Sequence, residues 1–265
     1  MKKIAFCFLI YDVINHNEIW STFFKNVDKN KYNIYIHYKH NTPLQYFEEY
    51  KLKSTVETQW GHISIVLAQN LLLEEALKDP QNQHFIFVSN SCVPFKNFNE
   101  VYESLNPSYS YFNVMPQDQC FPRCDKTIQF IDKKDIQKSS QWCILNIKHA
   151  ELMITHKEYI GWFDYEPICC PDEHCYITAI LKSHLEDEII RTENSSNDAT
   201  TFTNWHGMDY KYPSIFLLKN YDFISEEEVD YLLNSKCLFG RKFNLECQPF
   251  FLNHPNYLRS IEAKA

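Results

Sequence analysis

A pair of carboxylates stands where a helix is predicted to begin, in the segment from Pro171 to His174. Proline suits the first turn of a helix, and the partial positive charge at that end keeps nearby carboxylates ionised. An ionised carboxylate can act as a general base that removes a proton from a hydroxyl group. The same spacing also fits a structural role, in which Asp172 and Glu173 only offset the helix dipole. The spacing alone leaves both interpretations open.

Potential zinc ligands cluster around the same segment: Cys169, Cys170, His174 and Cys175. A structural zinc site usually draws a second pair of ligands from elsewhere in the chain, and only the distant Cys120 and Cys124 offer one. The sequence therefore argues against a zinc site at this segment.

Two cations, Arg241 and Lys242, follow an apolar, strand-like run that begins at Leu238. Arginine offers a planar fork of donors and lysine a point charge, and both suit an anion such as a phosphate. A cationic pair beside a strand is also a common way to keep the edge of a sheet in solvent. The pattern alone does not decide between these two roles.

Composition limits the ligands that the chain can bind. The formal net charge is −8 and the pI is about 5.8, which argues against a protein that wraps nucleic acid. Only four glycines are present, so a glycine-rich phosphate loop cannot be assembled. Any phosphate group must therefore be held by side chains.

Three short runs rich in β-branched and aromatic residues alternate with helical stretches: Ile4 to Ile10, Tyr32 to Tyr38 and His84 to Val88. This order predicts an α/β fold with a mostly parallel central sheet flanked by helices. With 265 residues and 45% hydrophobic content, the chain can bury a full core. We expect one domain over residues 1–265.

The clearest helix is predicted from Ile63 to Leu77, with Val66, Leu67 and Leu71 on its apolar face. Three further elements are predicted, two helices and a strand: Ile147 to His156, Pro171 to Lys182, and Thr200 to Trp205. A last helix is predicted from Ser225 to Leu233, opened by a capping box with Ser225 as N-cap and Glu228 at N3. The polar stretch Arg191 to Asp198 is the best candidate for a mobile loop.

The amino-terminal segment resembles a secretory signal peptide, because Met1 and two lysines precede an apolar run. Tyr11 and Asp12 cut that run short and no small-residue cleavage site follows, so a buried first strand is predicted instead. No apolar run approaches the roughly 20 residues of a membrane-spanning helix. We therefore expect a cytoplasmic protein that is not secreted, with reduced cysteines and an unused sequon at Asn194.

Several blocks, taken together and in order, resemble the Core-2/I-branching enzyme family. They are Trp60 to Val66, Phe87 to Pro94, Ser140 to Trp142 followed by Lys148 to Ala150, Pro171 to His174, and Phe239 to Phe243. These look like the family's WGxxS, strand-and-serine-turn, SQW, PDE and FARKF motifs. The composition and the lack of a Golgi anchor also look like family members of large algal viruses.

The resemblance implies a GT-A type fold and an inverting glycosyltransferase that uses a UDP-sugar without a metal ion or other cofactor. The turn after the His84 to Val88 strand agrees, since Ser89 to Cys92 contains no acidic residue. The family's catalytic base maps onto Glu173. In a direct displacement, one carboxylate takes the acceptor proton as that oxygen attacks the anomeric carbon.

The resemblance also assigns binding roles. Lys242 and Arg241, with Lys219 or Lys211 as a second family cation, are expected to hold the donor diphosphate. The nucleoside is expected to contact three residues: Tyr11, His37 and Ser64. The acceptor or transferred sugar is expected to contact four: Trp142, Gln141, Asp172 and Trp205. Residues 1–95 would thus bind the nucleotide sugar, and residues 140–265 would carry catalysis and acceptor binding.

Xylose is the first expectation for the transferred sugar and N-acetylglucosamine the second. The acceptor is expected to be a glycan hydroxyl, with a viral glycoprotein in an infected cell as one candidate carrier. The chain departs from the family near Lys39, where an acidic residue is usual, and at Cys92, near a position that is acidic in animal members. These departures keep open an alternative function, a catalytically silent glycan-binding module on the same fold.

Overall fold

The computed structural model describes residues 2–116, 124–165, 170–193, 199–204 and 218–263. Within these ranges, the strands are β1 (Lys3–Ile10), β2 (Tyr32–Tyr38), β3 (Asn82–Ser89), β4 (Val93–Pro94), β5 (Ser110–Val114), β6 (Ile144–Asn146), β7 (Ile189–Glu193), β8 (Thr201–Thr203) and β9 (Phe239–Arg241). The helices are α1 (Asn17–Phe24), α2 (Ser64–Ala76), α3 (Phe98–Ser104), α4 (Ile147–Thr155), α5 (Glu158–Phe163), α6 (Cys175–Lys182), α7 (Glu226–Asn234), α8 (Gln248–Asn253) and α9 (Tyr257–Ile261).

Six strands form a central sheet in the order β2-β1-β3-β6-β5-β7. The pairs β1–β2, β1–β3 and β5–β7 are parallel, whereas β6 runs antiparallel to both of its neighbours. The predicted α/β fold with a mostly parallel sheet flanked by helices is therefore confirmed. Since parallel strands end at the same edge, the carboxyl ends of β1 and β3 meet, with Leu9 opposite Ser89.

Both faces of the central sheet are buried. Along β3, Phe85 and Phe87 point into one apolar cluster while Ile86 and Val88 point into another, as the alternation of side chains along a strand requires. The first cluster includes buried residues of α2, α4 and α6, and the second includes those of α1 and α3. A sheet covered on both faces explains why its strands appear as continuous apolar runs in the sequence.

A second, three-stranded sheet in the order β4-β9-β8 lies beyond β3. It packs with α7, α8 and α9 on a third apolar cluster, which contains Phe95, Phe243 and Phe251. Because β4 follows β3 and pairs with β9, this sheet joins the two segments that the sequence assigns to nucleotide binding and catalysis. The division into two functional halves itself stays a prediction.

The prediction of one continuous helix from Pro171 to Lys182 is wrong in one respect, because the helical hydrogen bonding is interrupted at His174. Pro171–Glu173 forms a separate 3-10 turn, and α6 begins only at Cys175. The Glu173 carbonyl accepts a hydrogen bond from the Ser139 amide at 2.8 Å instead of one from the next helical turn. Cys170, at φ 63° and ψ 63°, reverses the chain just before the turn. The candidate carboxylates therefore sit on a short turn rather than inside a regular helix.

Three other sequence predictions differ in detail from the structure. The helix α2 is confirmed, but Leu67, placed on its apolar face, is 37% exposed. The prediction of a mobile loop from Arg191 to Asp198 is wrong at its start, because Arg191 to Glu193 forms the end of β7 and pairs with β5. Residues 194–198 lie outside the described residues. The strand predicted from Thr200 is confirmed as the shorter β8.

The capping box of α7 is confirmed in full, since the Ser225 side chain accepts from the Glu228 amide and the Glu228 side chain accepts from the Ser225 amide. Such reciprocal bonds satisfy two of the amides that a helix start leaves without partners.

In the part of the chain that the structure describes, no helix is long and apolar enough to span a bilayer.

Candidate active site

The candidate site lies at the carboxyl ends of β1 and β3, the edge at which ligands bind in open α/β sheets. Strand β3 ends in the turn Ser89 to Cys92, where the Ser89 amide donates to Cys92 Sγ at 3.2 Å. The Ser91 carbonyl accepts from the Phe243 amide at 3.1 Å and so ties this turn to the residues that follow β9. The cations at the end of β9 are thereby fixed beside the end of the central sheet.

Glu173, the predicted base, faces a cation that the sequence did not single out. Lys138 Nζ lies 3.2 Å from Glu173 Oε2, and the two side chains are only 13% and 22% exposed. A lysine this close stabilises the ionised form of a carboxyl group. Glu173 thus forms an ion pair with Lys138, and its side chain keeps partial access to solvent.

Asp172 is the most perturbed carboxyl group of the site. Burial, reinforced by the neighbouring charge of Glu173, raises the pKa of Asp172 to about 7, and a backbone hydrogen bond and the charges of Arg241 and Lys138 oppose this shift. Among the described residues, its buried Oδ1 has no hydrogen-bond partner. Buried acceptors are normally satisfied, so a carboxyl group in this state at a sheet edge is typical of a binding or catalytic site.

Arg241, the first residue of the predicted cationic pair, lies within electrostatic reach of Asp172 and Glu173. Its guanidinium carbon lies 4.7 Å from the ring centroid of Trp142, a cation–π contact. Burial lowers the pKa of Arg241, while Cys92, Glu173 and Asp172 act in the opposite direction. The structure thus brings Glu173, Asp172, Arg241 and Trp142 into one cluster.

Trp142 is only 6% exposed, and Arg241 lies over its ring. Its observed contact is with the guanidinium, and its stacking on a sugar stays a prediction. The adjacent Gln141 is half-buried, and its Nε2 lacks a hydrogen-bond partner within the described part of the chain. Arg241 Nε is a second buried donor in the same state. The site therefore offers two donors and one acceptor that a bound ligand can satisfy.

Lys242 follows Arg241 on the chain and is half-buried. Burial lowers the pKa of the Lys242 ammonium, and the neighbouring Arg241 lowers it further. Gly240, the residue before Arg241, stands where the family motif has alanine. A Cβ at this position would overlap the ring of the buried Phe95, so packing under β9 accounts for the glycine.

Lys219, the other predicted diphosphate ligand, is 9% exposed. Its Nζ lies 3.5 Å from Glu228 Oε1 and 4.1 Å from the ring centroid of Tyr221. The Tyr221 amide donates to the Lys242 carbonyl at 2.8 Å, so the Lys219 segment runs beside that of Lys242. Lys219 is engaged within the protein, and its contact with a phosphate stays a prediction.

The three residues predicted to bind the nucleoside are in different environments. Tyr11, after β1, is 54% exposed and packs edge-on against His40 at 4.8 Å between ring centroids. His37 is fully buried, and its Nε2 accepts from the Val56 amide at 3.1 Å. Burial lowers the pKa of His37 to about 4, so this imidazole is neutral at pH 7. Of these two residues, only Tyr11 is exposed, and Lys39 Nζ lies over its ring at 5.4 Å from the centroid.

Ser64, the third of these residues, is 8% exposed, and its Oγ accepts from the Gln59 amide at 3.0 Å. The observed contacts of His37 and Ser64 hold the loop between β2 and α2. That loop also reaches the carboxylate turn, because the Gly61 carbonyl accepts from the Cys170 amide at 3.2 Å. Nucleoside binding by His37 and Ser64 stays a prediction.

Two predicted ligands, Trp205 and Lys211, lie outside the described residues, as do Cys120 and Cys169 of the zinc alternative. The described ranges contain no group of three or more histidine, cysteine or acidic side chains arranged to hold a metal ion. His174, the remaining zinc candidate on the turn, lies flat against Phe163 at 5.8 Å, and its Nδ1–H donates to the Gln137 carbonyl at 3.1 Å.

Sequence reasoning missed Lys138. This lysine stands two positions before the Ser140 to Trp142 block, and nothing in its own spacing marks it as a site residue. Its partner Glu173 is 35 residues away in sequence, so only the folded chain reveals the pair.

Three known proteins with similar sequences or structures are transferases by name. The chain is 29% identical over 252 residues to glycosyltransferase BC10 of Oryza sativa subsp. japonica, a match that covers 79% of this chain and 62% of the rice protein. A glycosyltransferase involved in the glycosylation of the major capsid of PBCV-1 superposes with a TM-score of 0.44 and 9% identity, covering 90% of this chain and 94% of that one. The galactosyltransferase LgtC gives a TM-score of 0.47 and 6% identity, with 89% and 86% covered.

Both TM-scores lie below 0.5. The chain also spans less than two thirds of the rice protein, so that protein's activity does not pass to it directly. The match to the family is broader. The sequence model of the family described as Branch: Core-2/I-Branching enzyme matches residues 4–227, which is most of the chain. The match runs through all the blocks named above except the last, Phe239 to Phe243. The chain belongs to the Core-2/I-Branching enzyme family.

Proposed function

We propose that this chain is a glycosyltransferase that moves a sugar from a UDP-sugar to a glycan hydroxyl with inversion, and that Glu173 is the general base. The observation that carries the proposal is the cluster at the carboxyl ends of β1 and β3. There, a partly accessible carboxylate stands 3.2 Å from a lysine, within electrostatic reach of the Arg241 cation. Family membership and the GT-A type fold expected for it support the same assignment.

The proposed reaction is a direct displacement. Glu173 accepts the proton of the acceptor hydroxyl as that oxygen bonds to the anomeric carbon, and the bond from this carbon to the UDP oxygen breaks on the opposite face. The electron pair of the broken bond leaves with the diphosphate, so no covalent sugar–enzyme intermediate forms. The enzyme regains its ionised base when the proton passes from Glu173 to water.

Negative charge grows on the leaving diphosphate and must meet fixed positive charge. Arg241 and Lys242 are adjacent on β9 and the residue after it, and the ring of Trp142 holds the Arg241 guanidinium in place. Their preorganised charges support the assignment of this pair as the diphosphate site. Lys219, beside Lys242 through the Tyr221 bond, is proposed as an outer cation.

The polar atoms without partners fit the hydroxyl groups of a sugar. Asp172 Oδ1, Gln141 Nε2 and Arg241 Nε are buried without hydrogen-bond partners among the described residues. Leaving a buried polar group unsatisfied costs about 1–3 kcal/mol, which a ligand with alternating donors and acceptors can recover. We therefore place the sugar hydroxyls against Asp172 and Gln141, with xylose as the first choice and N-acetylglucosamine as the second.

A donor panel tests this function. The chain is incubated with UDP-xylose, UDP-N-acetylglucosamine and other UDP-sugars, with and without glycan acceptors, and released UDP is measured. Acceptor-dependent UDP release supports the transferase. Glycan binding without UDP release from any donor would instead support the silent binding module. Action in the cytoplasm of an infected cell and a viral glycoprotein acceptor are further proposals that this panel does not address.

Transfer is expected to persist in excess EDTA. The turn Ser89 to Cys92 offers no carboxylate to hold a divalent cation beside the diphosphate, whereas Arg241 and Lys242 supply positive charge there. UDP release is measured before and after chelation, and again after addition of Mn²⁺. Loss of activity with EDTA and its return with Mn²⁺ would contradict the metal-independent mechanism.

A further inference from the structure

Lys138 and Glu173 form an ion pair that is more enclosed than an ordinary surface salt bridge. The Lys138 side chain is 13% exposed and that of Glu173 is 22% exposed, with 3.2 Å between Nζ and Oε2. Exposed pairs are screened by water and contribute little, but a pair with this degree of burial is screened much less. The charge of Lys138 therefore acts strongly on the carboxylate of Glu173.

Hydrogen bonds around the ion pair fix both partners. The Ser139 amide donates to the Glu173 carbonyl at 2.8 Å, and His174 Nδ1–H donates to the Gln137 carbonyl at 3.1 Å. The Gln137 amide in turn donates to Thr178 Oγ1 at 3.1 Å. Residues 137–139 are thus bonded to the carboxylate turn and to α6 on both sides of Lys138, which holds the Lys138 backbone beside Glu173.

The surrounding charges show why a cation is needed at this place. The charge of Glu173 raises the pKa of the neighbouring Asp172, whereas Arg241 and Lys138 lower it, so two acidic and two basic side chains interact at this place. The first turn of α2, which packs against the carboxylate turn, carries no charge. On α6, burial keeps the pKa of Cys175 well above its usual value, so that thiol is neutral. His174 lies against Phe163 and bonds to a carbonyl.

We infer that Lys138 is a positioning residue for the reaction: its ammonium keeps Glu173 ionised beside a second carboxyl group and fixes the direction of the carboxylate toward the acceptor hydroxyl. The inference rests on the proposed role of Glu173 as the base. It adds a residue that acts through the base.

The pH dependence of kcat/KM distinguishes this role from simple stabilisation. A cation within about 4–6 Å lowers the pKa of a carboxyl group by about 1–3 units, so its removal raises that pKa. The base must be ionised to act, and its ionised fraction is lost as the pH falls through its pKa. In Lys138→Met, the acidic limb of the profile is therefore expected to move upward by about one pH unit or more. Activity should recover at higher pH.

Lys138→Arg is the matched control, because it keeps the charge and should leave the acidic limb close to that of the wild type. UDP binding, measured by calorimetry at neutral pH, should be the same in all three proteins and shows that each is folded. If Lys138→Met does not fold, Lys138→Gln takes its place. An acidic limb that coincides with that of the wild type, or an equal loss at every pH in both variants, would overturn the inference.

Glu173→Gln, measured alongside, separates this inference from the proposed function. An inactive Glu173→Gln with an unshifted Lys138→Met profile would overturn only the role of Lys138. A fully active Glu173→Gln would overturn the base and the inference together.

Discussion

Turnover by Glu173→Gln is expected to fall by roughly 10²–10⁴-fold, the usual contribution of general-base catalysis, while UDP binding stays near the wild-type value. The amide keeps the size of the side chain but has no lone pair basic enough to take the acceptor proton. UDP affinity should not change, because the proposed base touches the acceptor and not the diphosphate. Steady-state turnover and calorimetric UDP binding are the two measurements.

The substitution also removes one charge of the ion pair with Lys138, so some stability is expected to be lost. With side chains 13% and 22% exposed, the cost should fall between the roughly 0–1 kcal/mol of an exposed pair and the 3–5 kcal/mol of a buried one. Turnover must therefore be measured well below the melting temperature of the variant.

Glu227→Gln is the matched control, because Glu227 is exposed and stands in the first turn of α7. It repeats the same chemical change at a similar place on a helix, far in sequence from the site, and should leave turnover intact. If Glu173 only offset a helix dipole, its glutamine variant would behave like this control. Retained turnover with a lowered melting temperature would contradict the assignment of Glu173.

Lys242→Ala is expected to weaken UDP binding by roughly ten- to 150-fold and to lower kcat/KM with it. A hydrogen bond to a charged group is worth about 1.5–3 kcal/mol, and one to a phosphate acts in both the ground and the transition state. The loss should be similar for every UDP-sugar, since the diphosphate is common to all of them. Calorimetry with UDP measures the effect directly.

Lys182→Ala provides the comparison, because Lys182 is an exposed lysine at the end of α6. UDP binding by this variant should equal that of the wild type. Unchanged UDP affinity in a folded Lys242→Ala protein would instead make Lys242 a solvated residue at the edge of the small sheet.

Local patterns in the sequence predicted the elements whose formation depends on neighbouring residues. The apolar runs of β1 and β2 form strands as expected, the helix α2 differs by one residue at each end, and the Ser225 capping box forms as expected. In each case, the signal and the structure it specifies lie within a few residues of one another.

The remaining elements could not be predicted, because they depend on pairing with residues that are distant in sequence. The strand β6 has three residues, and its antiparallel place between β3 and β5 is set by partners more than 30 residues away. The break at His174 depends on residues 137–139, because bonds from that segment replace those of a continuous helix. No local pattern records such partners, so the turn that carries the carboxylates could not be predicted from its own sequence.

The candidate site shows the same division. The resemblance supplied Glu173, Arg241 and Lys242 by type and order, but not their surroundings. That Arg241 covers Trp142, and that Lys138 faces Glu173, follows only from contacts between segments 99 and 35 residues apart. The first contact shows that Trp142 packs against a cation, and the second is the basis for inferring that Lys138 is a positioning residue.

The central claim is that an acceptor hydroxyl attacks the anomeric carbon directly, with Glu173 taking its proton. The anomeric configuration of the product tests this claim most directly, because one displacement inverts the configuration, whereas a covalent intermediate, which requires two displacements, retains it. Proton NMR of the product formed by the wild-type chain from an α-linked UDP-sugar gives the configuration. We expect a β-linked product; an α-linked product would contradict the mechanism.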